Sequence, residues 1–160
     1  MKKIRPIFLV EFSSPILSGG NRRTFEILKH GKSENIDFII LTSLISCQNA
    51  VKMFPNYLEV LSKYRVYIKN FKEVRSNFIG VKQIFAYINM LHSVLSLSKI
   101  AFDNEAEIIV GSEEAQILLS CYFAGRFSSI PWTVVWQPGS DLYQPSTSKN
   151  LLIHLIYSGL

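Results

Sequence analysis

Cysteine is scarce in this chain. Cys47 and Cys121 are the only two in 160 residues, far apart, with no Cys-x-x-Cys spacing and no histidine close by in sequence. That spacing argues against a zinc knuckle or a dithiol redox centre, and small core residues of a reduced, intracellular protein remain the expectation, with a buried disulfide as the alternative. The three histidines, His30, His92 and His154, share no metal-ligand spacing, so no metal site is expected. A Gly-x-x-x-x-Gly-Lys-Ser/Thr run is missing, which removes a P-loop. Ser112 lacks a Gly-x-Ser-x-Gly elbow, which argues against a hydrolase nucleophile.

Charge is also thin. Charged residues make up 18% and hydrophobic residues 48% of the chain, a balance that excludes disorder and suits a sheet covered on both faces. The formal net charge of +5 is spread along the chain rather than gathered in a dense basic stripe with interleaved aromatics, so no nucleic-acid partner is expected. The basic start Met1–Pro6 leads into an apolar run, but Glu11 interrupts it and no small-residue cleavage site follows, which argues against secretion. The longest uncharged stretch, Gln83–Ser98, falls short of the ~20 mainly apolar residues a bilayer span needs, so no transmembrane helix is predicted.

What is present is strand–helix alternation. Ile4–Phe12, Ile36–Thr42, Arg65–Lys69, Ala106–Gly111 and Trp132–Gln137 read as strands, several near-continuously apolar as in parallel sheets. Gly20–His30, Gln48–Lys63, Val81–Phe102, Glu113–Phe127 and Thr147–Tyr157 read as helices, with Pro55 complicating the second. In the third, Ile84, Phe85, Ile88, Leu91 and Leu95 form one apolar stripe. Asn70–Gly80, polar and ending in glycine, reads as a mobile connector. The whole is expected to be one α/β domain over residues 1–160: a Rossmann-like, doubly wound, mostly parallel sheet of about five strands with helices on both faces.

In such a sheet, ligands bind beyond the carboxyl ends of the strands. Phe12–Gly20, Thr42–Cys47, Gly111–Glu114 and Gln137–Tyr143 fall there. Gly19 and Gly20, after Ser18, either let backbone approach a ligand at a helix N-terminus or simply supply a turn needing positive φ. Arg22 and Arg23 follow in the first turn, where the helix dipole does not favour cations unless an anion compensates them; a solvated surface role is the alternative. Glu113 and Glu114 suit the dipole at a helix start or could hold acceptor hydroxyls. Gln137, Ser140 and Asp141 form a polar cluster, although Asp141 also fits an Asx-turn. Tyr64–Arg75 mixes aromatics with cations, which fits either a membrane-surface patch or a strand with a solvated edge.

Three stretches carry a family likeness: Gly19-Gly20 with Arg23 and the helix residues Glu26-Ile27-Leu28; Glu107–Ser112 followed by Ala115 and Leu118-Leu119; and Ile130–Pro138. In this order they resemble the N-terminal, acceptor-side domain of family 4 (group 1) glycosyltransferases, which have the two-domain GT-B fold. The resemblance implies a retaining transferase that moves a sugar from a nucleotide-sugar donor, with no separate cofactor, to a glycan or lipid-linked acceptor. It implies a donor-phosphate and sugar loop of Ser18, Gly19, Gly20 and Arg23, and an acceptor-side cleft of Ser112, Glu113, Gln137, Ser140 and Asp141. It also implies a cytoplasmic protein at the inner face of the membrane. The chain departs from the family pattern in carrying Gln137 where a histidine is common and Gly31-Lys32 where Gly-His is usual. A donor-binding domain is absent from the 160 residues, so the domain is expected to be incomplete at its C-terminus and inactive without a donor-binding domain or subunit. The alternative is a stand-alone α/β binding or interaction domain without catalysis.

Overall fold

In a computed structural model, residues 4–12, 14–32, 36–69, 79–112 and 115–135 are described. Five strands, β1 (Pro6–Val10), β2 (Ile39–Ser43), β3 (Arg65–Lys69), β4 (Ile108–Gly111) and β5 (Trp132–Val134), form one sheet in the order β3-β2-β1-β4-β5. Every pairing is parallel, with Ile7 opposite Ile39 and Ile109 and Ile39 opposite Arg65. The α/β Rossmann-like expectation therefore holds. The near-continuous apolar strands are the inner ones: all five residues of β1 and of β2 are buried.

Alternation within each strand splits the core into two layers. Phe8, Val10 and Ile40 pack with Phe25 and Leu28 of α1 (Gly19–His30), Ala50 of α2 (Leu44–Met53) and Tyr57 of α3 (Tyr57–Leu61). Ile7, Leu9, Ile39, Leu41 and Ile109 face the other way, against Val94, Leu97 and Ala101 of α4 (Ile79–Asp103) and Cys121 and Ala124 of α5 (Ala115–Ser128). Gly111 permits the close approach of α5: a Cβ there would stand 2.7 Å from Cys121 Sγ and 2.8 Å from Ile117 Cγ2.

The boundaries shift for local reasons. The expected helix over Gln48–Lys63 is two helices. Phe54, preceding Pro55, is extended (φ −131°, ψ 93°), because proline disfavours the helical region for the residue before it. The first of the two starts earlier than expected, at Leu44, because Ser43 Oγ accepts from Ser46 N at 3.1 Å and caps it. Thr42–Cys47 is consequently a strand end running straight into a helix, not a loop. Ile4 joins only an isolated bridge with Ile36, so β1 and β2 are shorter than their apolar runs. Within the expected connector Asn70–Gly80, Ile79 and Gly80 already belong to α4. The remainder of that connector and the expected helix Thr147–Tyr157 lie outside the described residues.

α4 is also longer than read from sequence. Its Gln83–Asp103 portion is long and apolar enough to cross a membrane by length and composition, contrary to the expectation from the uncharged run alone. Its C-terminal half nonetheless packs on the sheet through Val94, Leu97 and Ala101.

Both thiols are buried and free. Burial pushes the Cys121 pKa from 9.0 up to about 12, and burial raises Cys47 as well. In the unfolded chain these thiols ionise near pH 9.0. Their contribution to stability is therefore complete below that value and is lost as pH rises toward the folded pKa. Lys69 acts in the opposite sense, since burial lowers its pKa from 10.5 and the unfolded chain holds that proton longer. Urea midpoints taken across pH 9.0 are expected to fall more steeply for the wild type than for Cys121→Ala; equal slopes would assign the alkaline loss elsewhere.

Candidate functional site

The strand order reverses between β1 and β4: from β1 the chain proceeds to β2 and β3 on one side, and from β4 to β5 on the other. Loops leaving these two adjacent strands diverge to opposite faces, opening a crevice at their carboxyl ends, where ligands of open α/β sheets bind. Ser18–Gly20 follow β1 and Ser112 follows β4, so two of the sequence-predicted groups flank this switch point. Ser112 N donates to Leu9 O at 3.2 Å, which fixes the β4 exit beside β1.

On the β1 side, Ser18 is the N-cap of α1. Its Oγ accepts from Asn21 N at 3.1 Å, and its carbonyl accepts from Arg22 N at 3.0 Å. Asn21 Nδ2 donates to Ile16 O at 2.9 Å and reaches Met53 Sδ at 3.6 Å, which ties the loop to α2. Gly19 and Gly20 lie inside the first turn of α1, so they serve the helical start and are not a positive-φ turn. Helix geometry leaves their N–H groups without intrahelical acceptors. No acidic residue occupies that first turn. Arg23 is half-buried.

On the β4 side, Ser112 is 4% exposed, and its hydroxyl has no hydrogen-bond partner among the described residues. Glu113, Gln137, Ser140 and Asp141, the other acceptor-side candidates, lie outside the described residues.

The structure adds a group that sequence reading missed. Glu11, just past β1, forms an ion pair with Lys69 at the end of β3, Oε1 to Nζ 3.0 Å, with side-chain exposures of 14% and 3%. Ser43 Oγ donates to Glu11 Oε2 at 2.6 Å, and Lys69 Nζ donates to Ser93 Oγ of α4 at 2.9 Å. Below them, Ser46 Oγ accepts from Phe12 N at 2.9 Å and Asn49 Nδ2 donates to Phe12 O at 2.8 Å, so α2 satisfies the backbone leaving β1. Burial holds the Lys69 pKa below the usual lysine value, partly offset by Glu11. This network joins β1, β3, α2 and α4 at the carboxyl edge and gives the β1 exit a rigid base. Lys69 is thus no part of a solvated edge, although β3 is an edge strand with Arg65, Tyr67 and Ile68 exposed. The only sequence signals were two isolated charges at the ends of apolar strands.

No three His, Cys, Asp or Glu side chains gather as a metal-holding group among the described residues. His30 instead pairs with Glu26 at 3.2 Å.

The strand order, the parallel pairing throughout and the switch-point crevice define a Rossmann-like α/β fold. No protein-family model matches the chain, and no curated protein matches it in sequence. Among solved structures, UDP-GlcNAc 2-epimerase from Neisseria meningitidis bound to UDP-GlcNAc is similar in fold, with a TM-score of 0.50 and 14% identity over 90% of this chain. The chain spans 35% of that enzyme's length.

Proposed function

We propose that this domain is the N-terminal, acceptor-side part of a retaining glycosyltransferase that uses a nucleotide-sugar donor, with the ligand lodged at the β1/β4 switch point. The observation that carries the reading is the buried hydroxyl of Ser112 at the β4 exit, without a partner among the described residues and set across the switch point from the capped start of α1. A buried hydroxyl without a partner costs free energy unless something meets it. The free amides at the start of α1 offer the positive end of a helix dipole to an anion.

In this reading Gly19 and Gly20 let backbone reach the donor sugar-phosphate, and Arg23 offsets phosphate charge. Ser112 and Glu113, with Gln137, Ser140 and Asp141, orient a glycan or lipid-linked acceptor. Catalysis rests on positioning and on electrostatic help to a departing nucleoside diphosphate, with the nucleotide-sugar as substrate and no further cofactor. A donor-binding domain or subunit supplies the facing wall, and the work takes place in the cytoplasm at the inner face of the membrane. A fold likeness to a protein whose structure holds UDP-GlcNAc supports the substrate class.

Isothermal titration of the chain with UDP-GlcNAc and other nucleotide-diphosphate sugars tests this, alone and together with the product of any adjacent reading frame. Saturable heat is expected, weakened roughly tenfold by Arg23→Ala, in line with loss of a charge-assisted contact. No heat and no sugar transfer under either condition would sink the proposal. Heat without transfer under both would replace it with a binding domain.

A further inference from the structure

The apolar stripe of α4 does not face the core. Ile84, Ile88, Leu91, Leu95 and Phe102 are all at least half exposed. At about 100° per residue they fall within about 60° of arc, about 110° round the helix from Val94, Leu97 and Ala101, which meet the sheet. The first half of α4 is open for a further reason. Asn104, just past the end of α4, meets Arg65 and Tyr67 at the start of β3, whereas Ser93 meets Lys69 at its end. The stretch from Ser93 to Asn104 rises about 16 Å at about 1.5 Å per residue, close to the length of β3. Everything in α4 before Ser93 therefore extends past the carboxyl edge of β3, an overhang of about 20 Å back to Ile79. No described side chain from Gln83 to His92 is buried.

Spacing and width select what lies against this stripe. With half-buried Ser98, the series Ile84, Ile88, Leu91, Leu95, Ser98 and Phe102 advances in alternating steps of four and three. That pattern is the narrow seam of a helix that packs along one other helix, since a core-facing helix needs a wider apolar face. Exposed His92, Lys99 and Asp103 bound its outer side. The series also reads the same in both directions about Ser93. An antiparallel copy turned about a two-fold axis at Ser93 sets Ile84 against Phe102, Ile88 against Ser98 and Leu91 against Leu95, on both sides of the axis. The overhang of each copy is then covered by the sheet-bound half of the other. Together with Tyr87, which is 63% exposed beside the seam, the five apolar side chains present about 700 Å². Two copies would bury about 1,400 Å², within the ~1,200–2,000 Å² of specific interfaces. Like charges do not meet: the two copies of Lys99 stand about 18 Å apart along the helix axis, beyond the ~8 Å screening length at physiological ionic strength.

We infer that α4 is the interface of a homodimer, in which two copies of this chain pair antiparallel through Ile84, Ile88, Leu91, Leu95 and Phe102. Such a contact uses the same patch on both copies, so it closes on itself and stops at two. Because the overhang runs past the carboxyl edge of β3, pairing stands the body of each copy beside the carboxyl edge of the other. The area lies in the lower half of the range for specific interfaces, so association is reversible, with monomers below about 1 µM and dimers toward about 100 µM. The stability of the single chain is read in the dilute regime, where Leu95 is exposed.

Sedimentation velocity of the full chain tests this without any nucleotide sugar, so its outcome is independent of the transferase reading. The mass is expected to double between about 1 and 100 µM. Leu91→Glu/Leu95→Glu is expected to stay monomeric at the highest concentration with circular dichroism unchanged, since both side chains are exposed in the single chain. Cross-linking reads the register without depending on that variant. An equimolar mixture of Ile84→Cys and Phe102→Cys is expected to form a disulfide-linked dimer on mild oxidation. Ile84→Cys by itself is expected to form none, because its two copies lie about 27 Å apart. Cys47 and Cys121 are buried and offer no competing link. A wild type that stays monomeric throughout the range would overturn the inference, and binding of that monomer to phosphatidylglycerol vesicles would assign the stripe to lipid instead. A dimer that persists in the double variant, or Ile84→Cys linking to itself, would overturn it as well.

Discussion

Glu11→Ala is expected to destabilise the domain by about 3–5 kcal/mol, because it strands the buried Lys69 ammonium without its counter-ion. The carboxylate has two tasks, one for each oxygen. One oxygen neutralises Lys69 at 3.0 Å, and the other accepts from Ser43, the residue that caps α2. Replacing both members together, Glu11→Leu with Lys69→Met, is expected to recover most of the loss, since two apolar side chains of similar volume suit that site and neither leaves a charge unpaired. Urea denaturation of the two single variants and the pair measures this. A single-variant cost below about 1 kcal/mol would show that the pair behaves as a surface ion pair. The predicted coupling is large because the pair bridges strands at opposite edges of one half of the sheet. Its loss should also loosen the β1 exit that supports Ser18–Gly20.

The second large effect separates two leucines two positions apart on one helix. Leu97→Ala is expected to cost about 2–5 kcal/mol, the range for emptying a packed aliphatic site. Leu97 is 0% exposed, within the layer formed by Leu9, Leu41 and Ile109. Leu95→Ala is expected to change stability by no more than about 0.5 kcal/mol, because Leu95 is 69% exposed and alanine is the better helix former. Thermal unfolding of both variants decides it. Equal losses would mean that Leu95 is covered in the folded protein.

These two cases show where sequence reading succeeds and where it stops. The strands of the sheet were legible because parallel strands buried on both faces must be apolar at nearly every position, as Ile7–Val10 and Ile39–Leu41 are. The start of α1 was legible through Ser18 and the glycine pair. The break between α2 and α3 was signalled by Pro55, but the earlier start of α2 was not, since Ser43 is one of several serines until its hydroxyl is seen on Ser46 N. Within the candidate site, Ser18, Gly19, Gly20 and Ser112 could be named from their order after strands. Glu11 and Lys69 could not, because they lie 58 positions apart and nothing local marks them as partners.

Local chemistry was therefore enough to establish an α/β domain, the succession of strands and helices along the chain and the ends of its strands where ligands gather. Periodicity also marked α4 as carrying an apolar stripe, but a stripe states only that one side of a helix is apolar, not what lies against it. The length of β3 and the point where α4 meets it placed Val94, Leu97 and Ala101 on the sheet and carried Ile84–Leu91 past its edge. Likewise, pairing of β1 with both β2 and β4 created the switch point and brought Glu11 to Lys69. Such contacts depend on strand order and element length together, and those are properties of the assembled chain.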